Sequence, residues 1–447
     1  MNYIKYKFRK SLLGMLLSLS LACSKTDDYT SIKEIMPEGL SLSPNILLVI
    51  ADDMGVDATP GYGLGTVQPH MPNLTQLQAN GVTYENVWSA PTCAPTRATI
   101  ITGKYGINNG VLNTSNAGTL LETETTIQAY LYEQLDNKYV NALIGKWHLS
   151  NNEYNRPNEM GIDHYAGLIP GTIKDYNQWE LTINGQTITS EEYITTQLTD
   201  LAIEWVNAQE KPWFCWLAYT APHSPFHSPP NVMHSQGNLV DDIATIEVNP
   251  RPYYMAMIES IDYEIGRLLS QIPKAEQENT VVIFVGDNGT PGSVIQSPFL
   301  SNRSKGSLYQ GGIRVPLVVS GHGVSRKGQR DNSLVHTADL FATIAQIAGV
   351  ETPQYEDSKS FYDTFTDDAP GPRNYNYSEI LDFQKPAKSG YTLRNQRHKL
   401  IVLDNGSSHF YDLKVDPYEQ NNLMNQDLST DQQIALEQLQ AQALIIH

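Results

Sequence analysis

The residues Asn45-Ile46-Leu47-Leu48-Val49-Ile50-Ala51 form an almost wholly apolar run with no alternation. A strand with one face in water alternates apolar and polar side chains, so an unbroken run needs cover on both faces. Comparable runs recur at Val140–Ile144, Trp213–Tyr219, Val281–Val285 and Val315–Val319. Helical periodicity intervenes over Met71–Asn80, Ile127–Gln134, Tyr193–Asn207, Tyr253–Gln271 and Leu334–Ala348. Strands alternating with helices predict an α/β domain over residues 44–370, with a mostly parallel central sheet flanked by helices. Past Pro370 the texture changes. Tyr391–Arg394, Lys399–Leu403 and Phe410–Leu413 read as short strands around the turn Asp404-Asn405-Gly406. The tail from Ser429 reads as an amphipathic helix, with Thr430 and Gln433 at capping-box spacing. Residues 371–447 therefore read as a smaller α+β domain, and 447 residues are too many for a single core.

Lys5, Lys7, Arg9 and Lys10 precede an apolar run from Leu12 to Ala22. The run is too short to span a bilayer and reads as a secretory signal over residues 1–22. Cys23 follows it as in a bacterial lipoprotein cleavage site, although Ser20 stands where leucine is usual. This predicts an exported lipoprotein, periplasmic or at the outer membrane or cell surface, held by lipid on Cys23 through a polar tether over residues 23–43. Plain secretion is the alternative. The net charge of -18 argues against non-specific binding to nucleic acid or anionic lipid. An anionic substrate would then need a local cluster of cations.

The stretch Pro91-Thr92-Cys93-Ala94-Pro95-Thr96-Arg97-Ala98-Thr99-Ile100-Ile101-Thr102-Gly103 brings a cysteine and one cation together. Proline suits a first helical turn and glycine a helix stop, so Cys93 sits at a helix N-terminus, where free N–H groups favour an anion. Arg97 follows one turn on. A small buried cysteine before an ordinary capped helix is the plainer reading of the same residues.

Open α/β sheets bind ligands beyond the carboxyl ends of their strands. The first strand runs into Asp52-Asp53 and the strand Val281–Val285 runs into Asp287-Asn288. Should these ends be neighbours, three carboxylates converge and need protons or a cation between them. An all-oxygen donor set suits calcium or magnesium better than zinc. Either pair taken singly also suits turn formation and capping. The third strand leads into Gly145-Lys146-Trp147-His148, and alternation puts Lys146 and His148 on one face. Beyond Tyr219 comes Thr220-Ala221-Pro222-His223-Ser224-Pro225-Phe226-His227, a loop stiffened by proline. A glycine-bearing loop, Ser304–Arg314, carries Lys305.

The order Cys-x-Pro-Thr-Arg with Thr-Gly, followed by Gly-Lys-x-His, resembles the signatures of the type I sulfatases of the alkaline phosphatase superfamily. The resemblance implies that a formylglycine-generating maturation enzyme oxidises Cys93 to formylglycine (3-oxoalanine), whose hydrated aldehyde is the nucleophile. It implies one calcium ion on Asp52, Asp53, Asp287 and Asn288. The asparagine departs from the zinc phosphoesterases of that superfamily, in which a histidine typically follows the aspartate. Arg97, Lys146, His148, His223 and Lys305 take the family's catalytic roles: Lys146 and Lys305 on the sulfate, His148 as the base that returns the aldehyde, His223 near the leaving oxygen. Tyr411-Asp412-Leu413 and Asp416-Pro417 resemble the family's small C-terminal domain.

The expected activity is hydrolysis of a sulfate ester on a carbohydrate or polysaccharide fragment. A phosphoester or phosphonate monoester hydrolase with the same site is the first alternative. A lipoprotein that binds sulfated glycans with Cys93 unconverted is the second. Residues 149–190 and 224–250 are the expected substrate loops, in which Trp179, Asn177 and Tyr165 either contact a sugar or support the fold. His227 either touches substrate or lies on the surface. Cys215, inside an apolar run, reads as a core thiol, with a Cys93–Cys215 disulfide as the competing reading.

Overall fold

In the computed structural model, which describes residues 43–114, 119–382 and 386–446, strand β1 (Asn45–Ala51) is buried along its whole length. The residues read as signal, tether and lipid anchor lie outside that set, apart from Ser43. Ile46, Leu48 and Ile50 enter one apolar cluster, while Leu47, Val49 and Ala51 enter another on the opposite face. This double burial is why the run does not alternate. Full burial of each large side chain contributes about 1.5–3 kcal/mol.

Ten strands share this sheet: β1, β2 (Gly81–Trp88), β3 (Val140–Gly145), β4 (His164–Gly167), β5 (Trp179–Ile183), β6 (Gln186–Ser190), β7 (Trp213–Ala218), β8 (Thr280–Gly286), β9 (Leu317–Gly321) and β10 (Gln329–His336). Their order is β10-β2-β9-β8-β1-β7-β3-β4-β5-β6. The block β8-β1-β7-β3-β4 is parallel throughout, and only β9 and β5 run against the rest. Helices Cys93–Thr102, Ile127–Gln134 and Asp339–Ile347 cover one face; Pro72–Ala79, Ile194–Asn207 and Arg251–Gln271 cover the other. The fold is thus α/β with a mostly parallel sheet, as the apolar runs predict.

One local expectation changes, and one competing reading falls away. Residues Leu334–His336, read as the start of a helix, instead finish β10, where Leu334, Val335 and His336 pair with Asn86, Val87 and Trp88. The helix begins only at Asp339, after Thr337-Ala338 turns the chain. Cys215 and Cys93 are both free, so the competing disulfide is absent; Cys215 lies in β7 among the apolar cluster of the second face.

After a short hairpin of β11 (Gln354–Tyr355) and β12 (Ser358–Lys359), the chain forms a four-stranded antiparallel meander. Its strands are β13 (Asn376–Ile380), β14 (Gly390–Arg394), β15 (His398–Leu403) and β16 (Ser408–Asp412). The terminal helix Thr430–Ile446 packs Leu436 and Leu439 with Leu393, Leu400 and Phe410 of the meander. Its cap falls one residue earlier than the sequence spacing indicates. Ser429 Oγ accepts from Gln432 N (3.3 Å), and Gln432 Oε1 accepts from Ser429 N (2.9 Å), closing a reciprocal capping box.

Candidate active site

Parallel pairing of β1 with β8 sets Ala51 beside Gly286, so the residues that follow each strand meet at one edge of the sheet. Asp287 N donates to Ala51 O (3.2 Å) and Asp53 N donates to Asp287 Oδ1 (3.0 Å). Asn288 Nδ2 donates to Asp53 Oδ1 (2.8 Å). Asp53 takes a left-handed backbone, φ 72°, which aspartate tolerates better than most residues. Two buried oxygens in this group, Asp52 Oδ1 and Asn288 Oδ1, have no hydrogen-bond partner. Buried acceptors without donors are costly, and a hard cation satisfies them.

The next strand ends bring cations. β3 stops at Gly145, whose φ of 113° and close approach to Ala218 exclude a side chain: a Cβ there would lie 1.9 Å from Ala218 O. Lys146, Trp147 and His148 therefore lie beyond the strand, and strict alternation does not govern them. Lys146 Nζ pairs with Asp52. His148, at φ 62°, turns its Nδ1 to within 3.3 Å of Cys93 Sγ. Trp147 is buried and bonds Ser150.

Helix Cys93–Thr102 begins at Cys93 and closes at Gly103, φ 68°. The Cys93 thiol and the Asp52 and Asp287 carboxylates each offer an atom within 4.8 Å of the others. Arg97, 1% exposed, donates to Asp287 Oδ2 (2.9 Å) and to Lys146 O (2.8 Å), and lies 3.6 Å from Asp52. Its two terminal nitrogens tie the helix to two strand ends, while its buried Nε has no hydrogen-bond partner.

β7 leads to His223. Its Nδ1 bonds Ser224 O (2.6 Å), leaving Nε2 toward the site, 3.8 Å from Asp53. Lys305 reaches Asp53 Oδ1 at 2.5 Å and, at 21% side-chain exposure, is the most open of the three cations. Every residue singled out from the sequence as catalytic or metal-binding thus joins one network.

The charges balance. Asp52, Asp53 and Asp287 face Arg97, Lys146 and Lys305. Burial opposes the charged form of Asp52, but Lys146, His223, Arg97 and Lys305 outweigh it and hold the carboxyl well below the usual range. Burial and the adjacent Asp52 push Asp287 up. Burial, Lys146 and Arg97 pull His148 well down, so its imidazole is neutral; burial likewise lowers His223. Burial raises the Cys93 thiol, which makes the unmodified cysteine a poor nucleophile. A divalent cation added to this neutral set leaves two positive charges, the complement of an anionic sulfate or phosphate group.

Several supporting residues escape sequence reasoning. Tyr176 OH donates to His223 O (2.5 Å) and packs on His227, ring centroids 4.1 Å apart. His227 Nε2 meets Tyr193 OH at 3.1 Å, and the residue is buried rather than on the surface. Thr290 Oγ1 donates to Asp57 (2.7 Å) and accepts from Gly55 N (3.2 Å), linking the loops after β1 and β8. Asp57 follows the Asp52-Asp53 pair closely, and that clustering is the one sequence signal for it. Tyr165 and Trp179 are buried, bonding Gly145 O and Glu192 O, and support the fold; Asn177 is exposed.

Residues 44–350 match the family model described as Sulfatase, and residues 303–444 match one described as N-sulphoglucosamine sulphohydrolase, C-terminal. N-acetylgalactosamine-6-sulfatase of Rattus norvegicus is 28% identical over 71% of this chain and 64% of the relative. A protein named Sulfatase from Formosa agariphila is 24% identical, over 95% of this chain and 90% of the relative. A crystal structure of Ps i-CgsB in complex with k-i-k-neocarrahexaose has a TM-score of 0.74 at 25% identity, covering 89% of this chain and 92% of that one. The chain spans about 64% of the length of the mammalian N-acetylgalactosamine-6-sulfatases it matches.

Proposed function

The chain belongs to the sulfatase family, and from that membership we propose that it hydrolyses a sulfate ester on a carbohydrate, releasing inorganic sulfate. The observation that carries the reading is the meeting of Cys93, His148 and the three carboxylates at one sheet edge, with Arg97, Lys146 and Lys305 around them. The sugar is proposed from the names of similar proteins: an N-acetylgalactosamine-6-sulfatase and a structure holding a carrahexaose.

In this reading Asp52, Asp53, Asp287 and Asn288 hold one calcium ion, which supplies positive charge against the sulfate oxygens. Formylglycine at position 93, made by a formylglycine-generating enzyme, supplies the nucleophilic oxygen that an ordinary thiol at this buried position does not. Arg97 fixes the helix that carries residue 93 and bridges Asp52 and Asp287. Lys146 and Lys305 neutralise charge that grows on sulfate as the ester bond breaks. His223, with Nδ1 committed to Ser224 O, works through Nε2; protonated there, it delivers the proton to the leaving alcohol. His148, neutral and beside residue 93, takes a proton from that residue as sulfate leaves.

We further propose export and lipid anchoring through Cys23, which a Cys23→Ala variant that loses fatty-acid labelling and membrane association would support.

The test uses protein co-expressed with a formylglycine-generating enzyme, supplied with calcium. Mass spectrometry of the peptide containing residue 93 should find formylglycine, and a panel of defined sulfated sugars should release sulfate. Faster turnover of matched phosphate or phosphonate monoesters would move the reading to the phosphoester alternative. Binding of sulfated sugars with residue 93 unconverted and no turnover would leave only the glycan-binding alternative.

A further inference from the structure

Lys305 rides on a loop whose first residues are held by the sheet edge and whose middle is held by the C-terminal meander. Lys305 N donates to Thr290 O (3.1 Å) and Gly306 N donates to Pro91 O (2.8 Å), two residues before Cys93. The loop then turns at Gly306, φ 78°, and buries Leu308 among Ile380, Ile401, Tyr411 and Leu413. Beneath this contact lies a fully buried ion pair, Lys399 Nζ to Glu419 Oε1 at 2.5 Å, with side chains 0% and 1% exposed. Each partner also grips the loop backbone. Lys399 Nζ donates to Leu308 O (2.7 Å), and Glu419 Oε2 accepts from Gln310 N (2.7 Å). Arg303 donates to Glu419 O and lies 4.4 Å over the Tyr309 ring. Trp88, at the end of β2, donates to Gln310 Oε1 (2.9 Å), and Lys399 Nζ sits 4.8 Å from its ring.

A buried ion pair is weak evidence for stability, because desolvation consumes most of the attraction and well-packed apolar residues do as well. What an apolar pair could not do is hold a carbonyl and an N–H two residues apart in one loop. We propose that Lys399, on β15, and Glu419, in the loop after β16, are positioning residues, a pin that fixes the loop so that the Lys305 ammonium stays over Asp53. The proposal rests on the reading of Lys305 as a sulfate-binding group.

The test compares wild type, Lys399→Met, Lys399→Met/Glu419→Gln, Lys305→Met and the combination of Lys399→Met with Lys305→Met, all with calcium. Lys399→Met leaves the Glu419 carboxylate buried alone and risks misfolding; the double variant removes both charges and keeps the experiment interpretable. Two quantities are measured: affinity for inorganic sulfate by calorimetry, and amide exchange at Gly306 and Gln310. Loss of the pin should weaken sulfate binding by about 10- to 100-fold, the usual effect of removing a group that orients a ligand-binding residue. In the Lys305→Met background the same loss should add nothing, since the pin acts through Lys305. Exchange at Gly306 and Gln310 should quicken by about tenfold or more, with the β1 amides unchanged. Additive losses of sulfate affinity, or unchanged exchange at Gly306, would overturn the proposal. A wild-type protein that binds no sulfate removes the sulfate role of Lys305, and the exchange data then decide the pin separately.

Discussion

Gly171 leaves open the space that the His148 imidazole fills: a Cβ built on residue 171 would lie 1.9 Å from His148 Nε2. The ring is held from its other side by Cys93, 3.3 Å from Nδ1, and His148 N donates to Ile169 O (3.1 Å). Gly171→Ala should therefore push the imidazole off residue 93. Misplacement of a reacting group by about 1 Å costs roughly 100-fold in rate. We expect kcat to fall by about that factor with KM little changed, measured on whichever sulfated sugar the panel identifies. An unchanged kcat would remove His148 from the proton-transfer role.

Cys93→Ala should abolish turnover and leave calcium binding largely intact, because the proposed ligands come from the ends of β1 and β8. Calcium should raise the melting temperature of both wild type and variant; at about 100 times its Kd the stabilisation is roughly 2.7 kcal/mol. Asn288→Ala should weaken that calcium response. Turnover surviving in Cys93→Ala would remove the nucleophile assignment, and a calcium response surviving undiminished in Asn288→Ala would remove that ligand.

The fold was legible where burial alone decides the pattern. β1 and β8 are apolar on both faces, so their runs and the acids that follow them stand out in the sequence. Cys93 at a helix start was legible because Pro95 and Gly103 mark both ends of one helix. β2 was missed: Glu85 and Asn86 interrupt its apolar character where the strand is only partly covered. Direction was also hidden, since an apolar run reads alike in parallel β8 and antiparallel β9. The supports for the site were the least legible. Gly171 against His148, or Glu419 against Gln310, are contacts between distant parts of the chain that no local pattern encodes.

Arg97 separates two kinds of cation at this site. Its guanidinium spans Asp287, Asp52 and Lys146 O while fully buried, so Arg97→Met would take the cation from Asp287 and the donor from Lys146 O, leaving Asp52 to Lys146 alone. Breaking a buried pair from one side costs about 3–5 kcal/mol. Urea unfolding should show a loss of that order. Arg97→Lys should recover only part of it, because an ammonium cannot reproduce the planar fork that reaches several acceptors. Lys305→Met, by contrast, removes a partly exposed cation and should weaken sulfate binding more than it weakens the fold. Equal stability losses for the two variants would contradict the distinction.

Glu379 predicts a pH dependence of stability away from the metal cluster. It lies in β13, 9% exposed, accepting from Ile107 N (2.6 Å) and from Tyr377 OH. Burial pushes its carboxyl from 4.5 up to about 7. A folded-state value above the unfolded one means the folded protein holds this proton more tightly. The stabilisation is therefore complete below about pH 4.5 and is lost as pH rises through about 7. At about 1.4 kcal/mol per unit, the full swing is roughly 3 kcal/mol. Glu379→Gln keeps the shape and an acceptor for Ile107 N but cannot ionise. It should be more stable than wild type at pH 8 and close to it at pH 5. Denaturant unfolding of both proteins across that window measures the difference directly, and parallel curves would mean that Glu379 is not the titrating group.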